Sequence, residues 1–343
     1  MSISCRVRAG FYRMTFLTQT RTLQVMSSFP GSVERLPHDR SDLLWSGGSP
    51  TKLLVESADR WGSAMVADDC YNRRSETRGQ GEAVVIAKSS GVICGLLVVE
   101  RLLSKHYPSC TIEWNIEEGD SIGEGARILT IRGECGGILQ SERVMLNILG
   151  RLSGIATNTA SWVSAAGNID VASTRKTGWG LLDKWAVHVG GGLTHRLNRC
   201  DALMLKENDI SAMSKEGEEP PDAIARIVSG LSSDSDSFTT VEVRDSHEAL
   251  AAARAWSQER GDRVVIMLDN MGPASAVEVV SYLSEEGLRE RCILEGSGGV
   301  VLESLSDWSD SGVDLVSSSG LNLGVAPVDF SLIIGGGEFG RSP

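Results

Sequence analysis

The sequence has too few closely spaced cysteines and histidines to build a disulfide framework or a zinc site. Its seven cysteines are scattered over 343 residues and include no C-x-x-C pair, and its five histidines are equally dispersed. This pattern is typical of reduced thiols in a cytosolic protein. Long apolar runs are also missing, and none approaches the length of a membrane-spanning helix. We therefore expect neither a zinc centre nor a membrane partner.

Positive charge is scarce as well. The chain has 33 Lys and Arg residues against 45 Asp and Glu residues, which gives a formal net charge of −12. A general nucleic-acid-binding protein needs a basic face to neutralise phosphates, so this balance argues against a nucleic-acid partner. In so acidic a chain, a local concentration of Arg and Lys becomes informative.

Acidic residues are missing from residues 1–28, which carry four arginines. An Arg-rich leader without acidic residues can be an organelle transit peptide. It can equally be a disordered extension, or reflect a start site placed too early, because Met14 and Met26 follow downstream. We expect a cytoplasmic protein, with organelle targeting by residues 1–30 as the alternative, and we leave residues 1–50 outside the fold.

Residues 51–140 show a mixed pattern. Residues 53–69 have helical spacing, and the short β-rich runs are residues 82–88, 91–97, 111–116 and 126–133. Residues 115–131 are typical of a β-hairpin with a glycine-rich turn. A lipoyl-carrier domain has a similar turn, but no lysine stands at the tip here. A long amphipathic helix is predicted from residue 139 to residue 167.

Apolar runs alternate with amphipathic stretches after residue 168. The six apolar runs are residues 169–174, 201–206, 238–243, 263–269, 292–297 and 312–318. Such alternation indicates βα units around a parallel sheet. Because no G-x-G-x-x-G follows the first run, we predict a (β/α) barrel in preference to an open doubly wound sheet.

Polar and charged residues follow each predicted strand. In (β/α) barrels, the carboxyl ends of the strands carry the chemistry. In chain order, including the turn between the first two strands, these residues are Thr174, Arg175, Lys176, His195, Arg196, Lys206, Glu242, Asp269, Ser297, Gly298, Gly299, Ser317, Ser318, Ser319 and Gly320. Each alone is commonly a solvated strand end, a helix cap or a tight turn. Their convergence on one rim predicts a site.

The chemistry of these residues indicates a particular kind of ligand. A cluster of cations suits a small polyanion that bears carboxylates or phosphates. Glycine- and serine-rich turns after the last strands suit a phosphate, which barrels of this type bind at that position. Two carboxylates beside phosphates suit Mg²⁺ or the hydroxyls of a ribose. The rim is therefore predicted to be an anion site.

A series of eight motifs resembles the quinolinate phosphoribosyltransferase family. The motifs are SERVMLNILGRLSGIAT, TRKT, KWAVHVGGGLTHR, DALMLKENDI, VEVRDSHEAL, VIMLDNM, LEGSGGV and GVDLVSSSGLN. The resemblance covers residues 53–333. It implies an N-terminal α/β sandwich domain (51–160) followed by an incomplete (β/α) barrel (161–335). It also implies the reaction of quinolinate with phosphoribosyl pyrophosphate in NAD biosynthesis, giving nicotinate mononucleotide, pyrophosphate and CO₂ with Mg²⁺.

The resemblance also implies roles for single residues. The quinolinate carboxylates would be surrounded by Arg143, Arg175, His195, Arg196 and Lys206. Lys176 would lie near the reacting centre, and Glu242 and Asp269 would serve the ribose and Mg²⁺. The 5′-phosphate would be held by Ser297, Gly298, Gly299, Ser318, Ser319 and Gly320. The family assembles as a homodimer or a higher homo-oligomer, in which Arg143 enters the site of the partner subunit.

Three departures from the family pattern lie near the predicted site. The segment after Thr177 is about two residues shorter than usual, Asp209 stands where a histidine is usual, and the turn from Ser317 to Gly324 is altered. The alternatives are a related phosphoribosyltransferase-like paralogue with another anionic substrate, or an inactive barrel that acts as a binding protein. A further alternative is an aldolase that uses Lys176 or Lys206 as a Schiff-base lysine. Such a lysine would need an apolar setting that lowers its pKa.

Overall fold

The computed structural model describes residues 35–69, 77–231 and 237–335. Within these ranges the chain forms two compact units. The first contains Ser41–Gly154 and the residues from Pro327 onward, and the second contains Leu36–Arg40 and Ile155–Ala326. None of the helices in the described ranges combines the length and the apolar character needed to span a membrane.

The first unit is an α/β sandwich built on a four-stranded antiparallel sheet. In spatial order the strands are β14 (Phe330–Ile334), β3 (Gln80–Ala87), β7 (Arg127–Glu134) and β5 (Thr111–Trp114). Two short antiparallel pairs join β1 (Trp45–Ser46) with β2 (Ser49–Pro50) and β4 (Gly91–Val92) with β6 (Ser121–Ile122). Helices α1 (Lys52–Asp69) and α2 (Leu96–His106) pack against each other.

Local sequence patterns account for these elements. Ala83, Val85 and Ala87 alternate along β3 and are fully buried, as expected for a strand with one face on a core. Helix α2 buries residues three and four positions apart, which is the period of an amphipathic helix. Strands β5 and β7 are antiparallel neighbours, but β5 ends at Trp114, before the predicted hairpin (115–131), and β6 lies between them in the chain and pairs with β4. The run at residues 91–97 differs from the prediction, because only its first two residues are a strand and its end enters α2.

The second unit is an incomplete (β/α) barrel with six parallel strands. In chain order they are β8 (Asp170–Ala172), β9 (Leu203–Leu205), β10 (Thr239–Val243), β11 (Val264–Asp269), β12 (Cys292–Ser297) and β13 (Leu315–Ser317). The spatial order is β9-β10-β11-β12-β13-β8, so the first strand lies beside the last. Among the described residues β8 and β9 do not pair, and a single parallel bridge from Ala172 to Leu193 lies at this seam.

Helices connect the strands as the sequence predicts. The long helix α3 (Cys135–Ala166) leads into the barrel, and the others are α4 (Leu181–Val189), α5 (Glu207–Met213), α6 (Pro220–Ser229), α7 (Ser246–Glu259), α8 (Gly272–Glu285) and α9 (Leu305–Asp310). Strands β11 and β12 are almost continuously buried, which explains their unbroken apolar runs. The predicted fold class is confirmed.

Two glycines after α4 allow close packing of the turn that leads to the predicted cations. A Cβ atom on Gly190 would lie 2.4 Å from the carbonyl oxygen of Ala156, and one on Gly192 would lie 2.8 Å from Cγ2 of Thr159. Both neighbours belong to the C-terminal part of α3. The glycine run therefore holds the turn against a helix.

Two segments lie elsewhere than the sequence predicts. The barrel assignment of residues 161–335 is wrong at its end, because β14 pairs with β3 in the first unit. Leaving residues 1–50 outside the fold is wrong for residues 36–50, which form parts of the two units. The predicted leader at residues 1–30 lies outside the described residues. Both errors involve partners far apart in the sequence, which local periodicity does not reveal.

Candidate active site

One cavity of about 760 Å³ opens at the carboxyl ends of the barrel strands. It brings together the predicted residues of the barrel rim, namely Thr174, Arg175, Lys176, His195, Arg196, Lys206, Glu242, Asp269, Ser297, Gly298, Gly299, Ser317, Ser318, Ser319 and Gly320. Arg143 lies on α3 in the first unit, and its role stays a prediction. Convergence follows from topology, because parallel strands end at the same edge of a sheet.

The loop after β8 carries two cations without ion-pair partners among the described residues. Arg175 and Lys176 are exposed, and neither side chain has a carboxylate within salt-bridge distance. The backbone of Lys176 is fixed at both sides. Its N–H donates to Oγ1 of Thr174 at 3.1 Å, and its carbonyl accepts from Nδ2 of Asn322 at 3.0 Å. A fixed backbone with a free ammonium suits a residue that must meet a ligand.

Asn322 joins two of the segments that depart from the family pattern. Its Nδ2 also lies 3.2 Å from Oδ2 of Asp183, and the same oxygen accepts the N–H of Gly178 at 2.7 Å. Asn322 is buried and belongs to the altered turn that follows β13. The shortened loop and the altered turn are therefore linked by direct hydrogen bonds.

Arg196 is a buried cation whose partners are neutral. Its guanidinium donates to the carbonyl of Ala202 and to Sδ of Met204, both at 3.2 Å. Burial lowers the pKa of Arg196, and the charge of Arg175 acts in the same direction. No carboxylate within the described ranges forms a salt bridge with it. A buried guanidinium beside a second cation favours an anionic ligand.

His195 lines the cavity and is hydrogen-bonded to a carboxylate, and its predicted role at quinolinate stays a prediction. Its Nε2 lies 3.2 Å from Oε1 of Glu295, and its Nδ1 accepts the N–H of Arg196 at 2.7 Å. Because Nδ1 accepts, the proton of the neutral ring is on Nε2 and is donated to Glu295. Burial lowers the pKa of His195 and favours this neutral form, although Glu295 opposes the shift.

His38, His195 and Glu295 form the group that comes nearest to a metal site in the described residues. Their ligand atoms lie within 4.8 Å of one another, and Nε2 of His38 is 3.1 Å from Oε2 of Glu295. A metal-bound histidine donates its other N–H to an acceptor. Nδ1 of His195 instead faces a donor, so this group is a hydrogen-bonded network. Burial acts to raise the pKa of Glu295. The interactions with His195 and His38 outweigh burial and hold this pKa well below its usual value, so the carboxylate is ionised.

Lys184 connects the two loops that carry the cations. It is 2% exposed, and its Nζ donates to Oγ of Ser173 at 3.1 Å and to the carbonyl of Thr194. Ser173 precedes the loop with Arg175, and Thr194 precedes His195. Burial lowers the pKa of Lys184 from 10.5 to about 7. On an amphipathic helix such a lysine looks like a solvent-facing charge, so the sequence analysis missed it.

Lys206 and Glu242 form an ion pair at the cavity wall. The backbone N–H of Lys206 donates to Oδ2 of Asp209 at 3.0 Å, at the start of α5. Asp209 is therefore the third residue of α5 in a capping box, in which its carboxylate accepts the N–H of the N-cap residue Lys206. This local role explains how the chain accommodates an aspartate where the family usually has a histidine.

The ends of β11 and β12 meet at a tightly packed turn. Asn270 has a φ of 56° and donates from Nδ2 to Oδ2 of Asp269 at 2.8 Å. Gly298 and Gly299 have φ angles of 86° and 63°. A Cβ atom on Gly298 would lie 2.3 Å from Oδ1 of Asn270, so only glycine fits there. Consecutive left-handed glycines form a concave turn of the kind that presents backbone N–H groups to an anion.

In the turn after β13, the hydroxyl of Ser318 is engaged in hydrogen bonds within the protein. Oγ of Ser318 accepts the N–H of Gly320 at 3.1 Å and donates to the carbonyl of Val300 at 2.9 Å. Asn158, from α3, donates to the carbonyl of Gly320 at 2.9 Å. Asn158 and Trp162 line the cavity, and the sequence analysis missed both because they lie inside a helix. The sequence did contain a signal for them, because Asn158 and Trp162 lie one helical turn apart, next to the family-like motif.

Together, the fold and the cavity define a class of enzyme. The cavity of this (β/α) barrel combines two arginines that form no salt bridge within the described part of the chain, two carboxylates and a glycine turn suited to phosphate. These are the groups needed to bring a small anion together with a phosphorylated sugar, which is the task of a phosphoribosyltransferase.

Comparison with known proteins identifies the family within this class. The model of the quinolinate phosphoribosyl transferase C-terminal domain matches residues 155–333, and that of the N-terminal domain matches residues 69–153. The chain belongs to the quinolinate phosphoribosyltransferase family, as the eight motifs predict.

Individual relatives agree with this assignment. The probable nicotinate-nucleotide pyrophosphorylase (carboxylating) of Methanothermobacter thermautotrophicus is 34% identical, over 74% of this chain and 88% of its own length. Quinolinate phosphoribosyltransferase (decarboxylating) 1b of Nicotiana tabacum is 35% identical over 74% of each chain. The crystal structure of NadC from Streptococcus pyogenes superposes with a TM-score of 0.70 and 32% identity, covering 82% of this chain and 97% of the other.

Proposed function

We infer that this protein is a quinolinate phosphoribosyltransferase of NAD biosynthesis. It takes quinolinate and phosphoribosyl pyrophosphate and forms nicotinate mononucleotide, pyrophosphate and CO₂. The observation that carries the inference is that Arg175 and Arg196, which form no salt bridge with the described residues, share one cavity with the Gly298–Gly299 turn. One side suits a dicarboxylate and the other a phosphate.

The cations of the cavity would bring two anions together. Quinolinate is a dianion and its partner carries several negative charges, so their encounter needs compensating positive charge. Arg175, Arg196 and Lys206 would contact the quinolinate carboxylates directly. His195, being engaged with Glu295, would orient Arg196 through the backbone and contribute no full charge.

The reacting centre would lie between these groups and the carboxylates. Loss of pyrophosphate leaves positive charge at the anomeric carbon of the ribose, which Glu242 and Asp269 would stabilise. After the pyridine nitrogen has attacked, the ring nitrogen is cationic and the adjacent carboxylate can leave as CO₂. The electron pair of the broken bond stays on the ring carbon next to the cationic nitrogen, and that carbon then takes a proton from water. Lys176 would stabilise the negative charges that approach each other there, so no covalent nucleophile is needed.

Mg²⁺ fits the carboxylate side of the cavity. Glu242 and Asp269 would supply oxygen ligands of the kind that Mg²⁺ takes, and substrate phosphates and water would supply the remaining ones. Bound there, Mg²⁺ would stabilise the leaving pyrophosphate. We also propose a homodimer or higher homo-oligomer, in which Arg143 completes the quinolinate site of the partner subunit, as the family resemblance implies.

A turnover assay tests the proposed function. The protein is incubated with quinolinate, phosphoribosyl pyrophosphate and Mg²⁺, and nicotinate mononucleotide is detected by chromatography and mass. We expect product formation that requires both substrates. A folded protein that forms no nicotinate mononucleotide contradicts the proposal, and an activity confined to another aromatic acid supports the paralogue alternative.

A further inference from the structure

A short N-terminal strap, Leu36–Arg40, belongs to the barrel unit although about 115 residues of the other unit separate it from the rest of the barrel in the chain. Leu36 packs on the apolar cluster inside the barrel, which includes Leu193 at the seam between β8 and β9. His38 is fully buried, and its ring lies edge-on to His195 with 4.9 Å between centroids.

The strap completes the hydrogen bonding of a buried carboxylate. Glu295 is fully buried, with one oxygen bound to His195 and the other to His38. A buried carboxylate oxygen without a donor is costly. Without His38, Glu295 would either rotate or take up a proton, and in both cases its bond to His195 would weaken. His195 needs that support because its φ of 52° is rarely adopted by a residue with a side chain.

The strap also holds the loop between Thr194 and Asp201. The backbone N–H of Arg40 donates to Oγ1 of Thr194 at 2.8 Å, and the same hydroxyl donates to the carbonyl of His38 at 3.2 Å. The guanidinium of Arg40 binds Oδ1 of Asp201 through two nitrogens at 3.1 and 2.9 Å. The other oxygen of Asp201 accepts the N–H of Leu197 at 2.9 Å.

The strap residues contact the loop on both sides of Arg196. Thr194 lies before Arg196, Asp201 lies after it, and Glu295 holds His195 next to it. The strap itself does not line the cavity. We propose that Leu36–Arg40 is a positioning element for the substrate-binding loop, and that His38 and Arg40 set the affinity for quinolinate by fixing Arg196. This inference rests on the proposed function, because its readout is the binding of quinolinate.

Steady-state kinetics of strap variants test the proposal. His38→Leu keeps the volume and removes the donor, whereas His38→Gln places an amide N–H where Nε2 of histidine lies. Arg40→Ala removes the clamp on Asp201. We expect His38→Leu and Arg40→Ala to raise the KM for quinolinate about tenfold, with the KM for phosphoribosyl pyrophosphate changed less than about twofold. His38→Gln should restore most of the affinity.

The matched control is Arg254→Ala, which removes an exposed arginine that pairs with Glu286 on the barrel surface. It should leave both KM values unchanged. Binding of phthalate, a dianion of the same shape that cannot react, is measured by calorimetry on the same proteins. An unchanged KM for quinolinate in both strap variants overturns the proposal. An equal rise in the KM values for quinolinate and phosphoribosyl pyrophosphate also overturns it. Should His38→Leu fail to fold, Arg40→Ala decides alone. If the wild-type protein shows no turnover, the proposed function is refuted. The affinities of the wild type and the strap variants for phthalate would then still test the role of the strap.

Discussion

Replacing Lys184 by methionine removes a buried amino group that binds both loops carrying the cations of the site. The side chain is 2% exposed, and its pKa is lowered from 10.5 to about 7, chiefly by burial. The arginines Arg175 and Arg196 also disfavour the charged form, while Asp201 and Asp183 favour it. Methionine has a similar length. Ser173 and Thr194 keep each other as partners, because Oγ of Ser173 donates to the carbonyl of Thr194 at 2.8 Å.

The lowered pKa of Lys184 sets the size and the sign of the change in stability with pH. The difference between the two pKa values corresponds to a preference for the neutral amine of about 5 kcal/mol. Because the folded-state pKa is the lower one, the unfolded chain binds a proton that the folded chain lacks between pH about 7 and about 10.5. The free energy of unfolding of the wild type should therefore rise with pH in this window. Below about pH 7, the destabilisation caused by burying Lys184 has its full value.

Urea unfolding of both proteins measures this difference. From about pH 6.5 to about pH 8.5, the free energy of unfolding of the wild type should rise by about 2 kcal/mol relative to that of Lys184→Met. Lys52→Met is the control for the loss of one lysine, since the side chain of Lys52 is 87% exposed. Parallel pH curves for the wild type and Lys184→Met would show that Lys184 titrates as an ordinary lysine, and the reasoning from burial would be wrong.

Three further experiments probe the site. Gly298→Ala would place a Cβ atom 2.3 Å from Asn270, so we expect a raised KM for phosphoribosyl pyrophosphate and a stability loss of about 1–3 kcal/mol. A Cβ atom on Gly299 would have nothing within 4 Å, so Gly299→Ala should change the KM and the stability less. Equal effects of the two substitutions would contradict the packing argument. Lys176→Ala should lower kcat more than it weakens quinolinate binding, and a mutant with normal kcat and only a raised KM would disprove its role at the reacting centre. Inactive Arg143→Ala and Lys176→Ala chains, mixed at random, should regain roughly a quarter of wild-type activity if the sites are shared. Inactive mixed dimers would show that Arg143 does not act on a partner's site.

The barrel and its rim were predictable because each strand carries its own signal. The runs that became β10, β11 and β12 are apolar and end at or near charged or glycine-rich residues, so their boundaries agree with the structure to within one residue. The register of a parallel sheet then brings the strand ends together without further information.

The supports of the site were not predictable in the same way. His38 stands in a polar segment without periodicity, and its partner Glu295 lies 257 residues away. Lys184 and Asn322 look like surface residues in the sequence, yet both are buried and hold loops that carry cations. Local patterns place the residues that face a ligand, whereas contacts between distant segments decide how firmly those residues are held.

The relative rates with two pyridine acids test most directly that this cavity is a site for a dianion. Nicotinate has one carboxylate fewer than quinolinate and would leave part of the cationic cluster of Arg175 and Arg196 unpaired in the cavity. The measurement is kcat/KM for quinolinate and for nicotinate, each with phosphoribosyl pyrophosphate and Mg²⁺. We predict a preference for quinolinate of at least about a hundredfold. Comparable values for the two acids would contradict the assignment of this cavity as a quinolinate site.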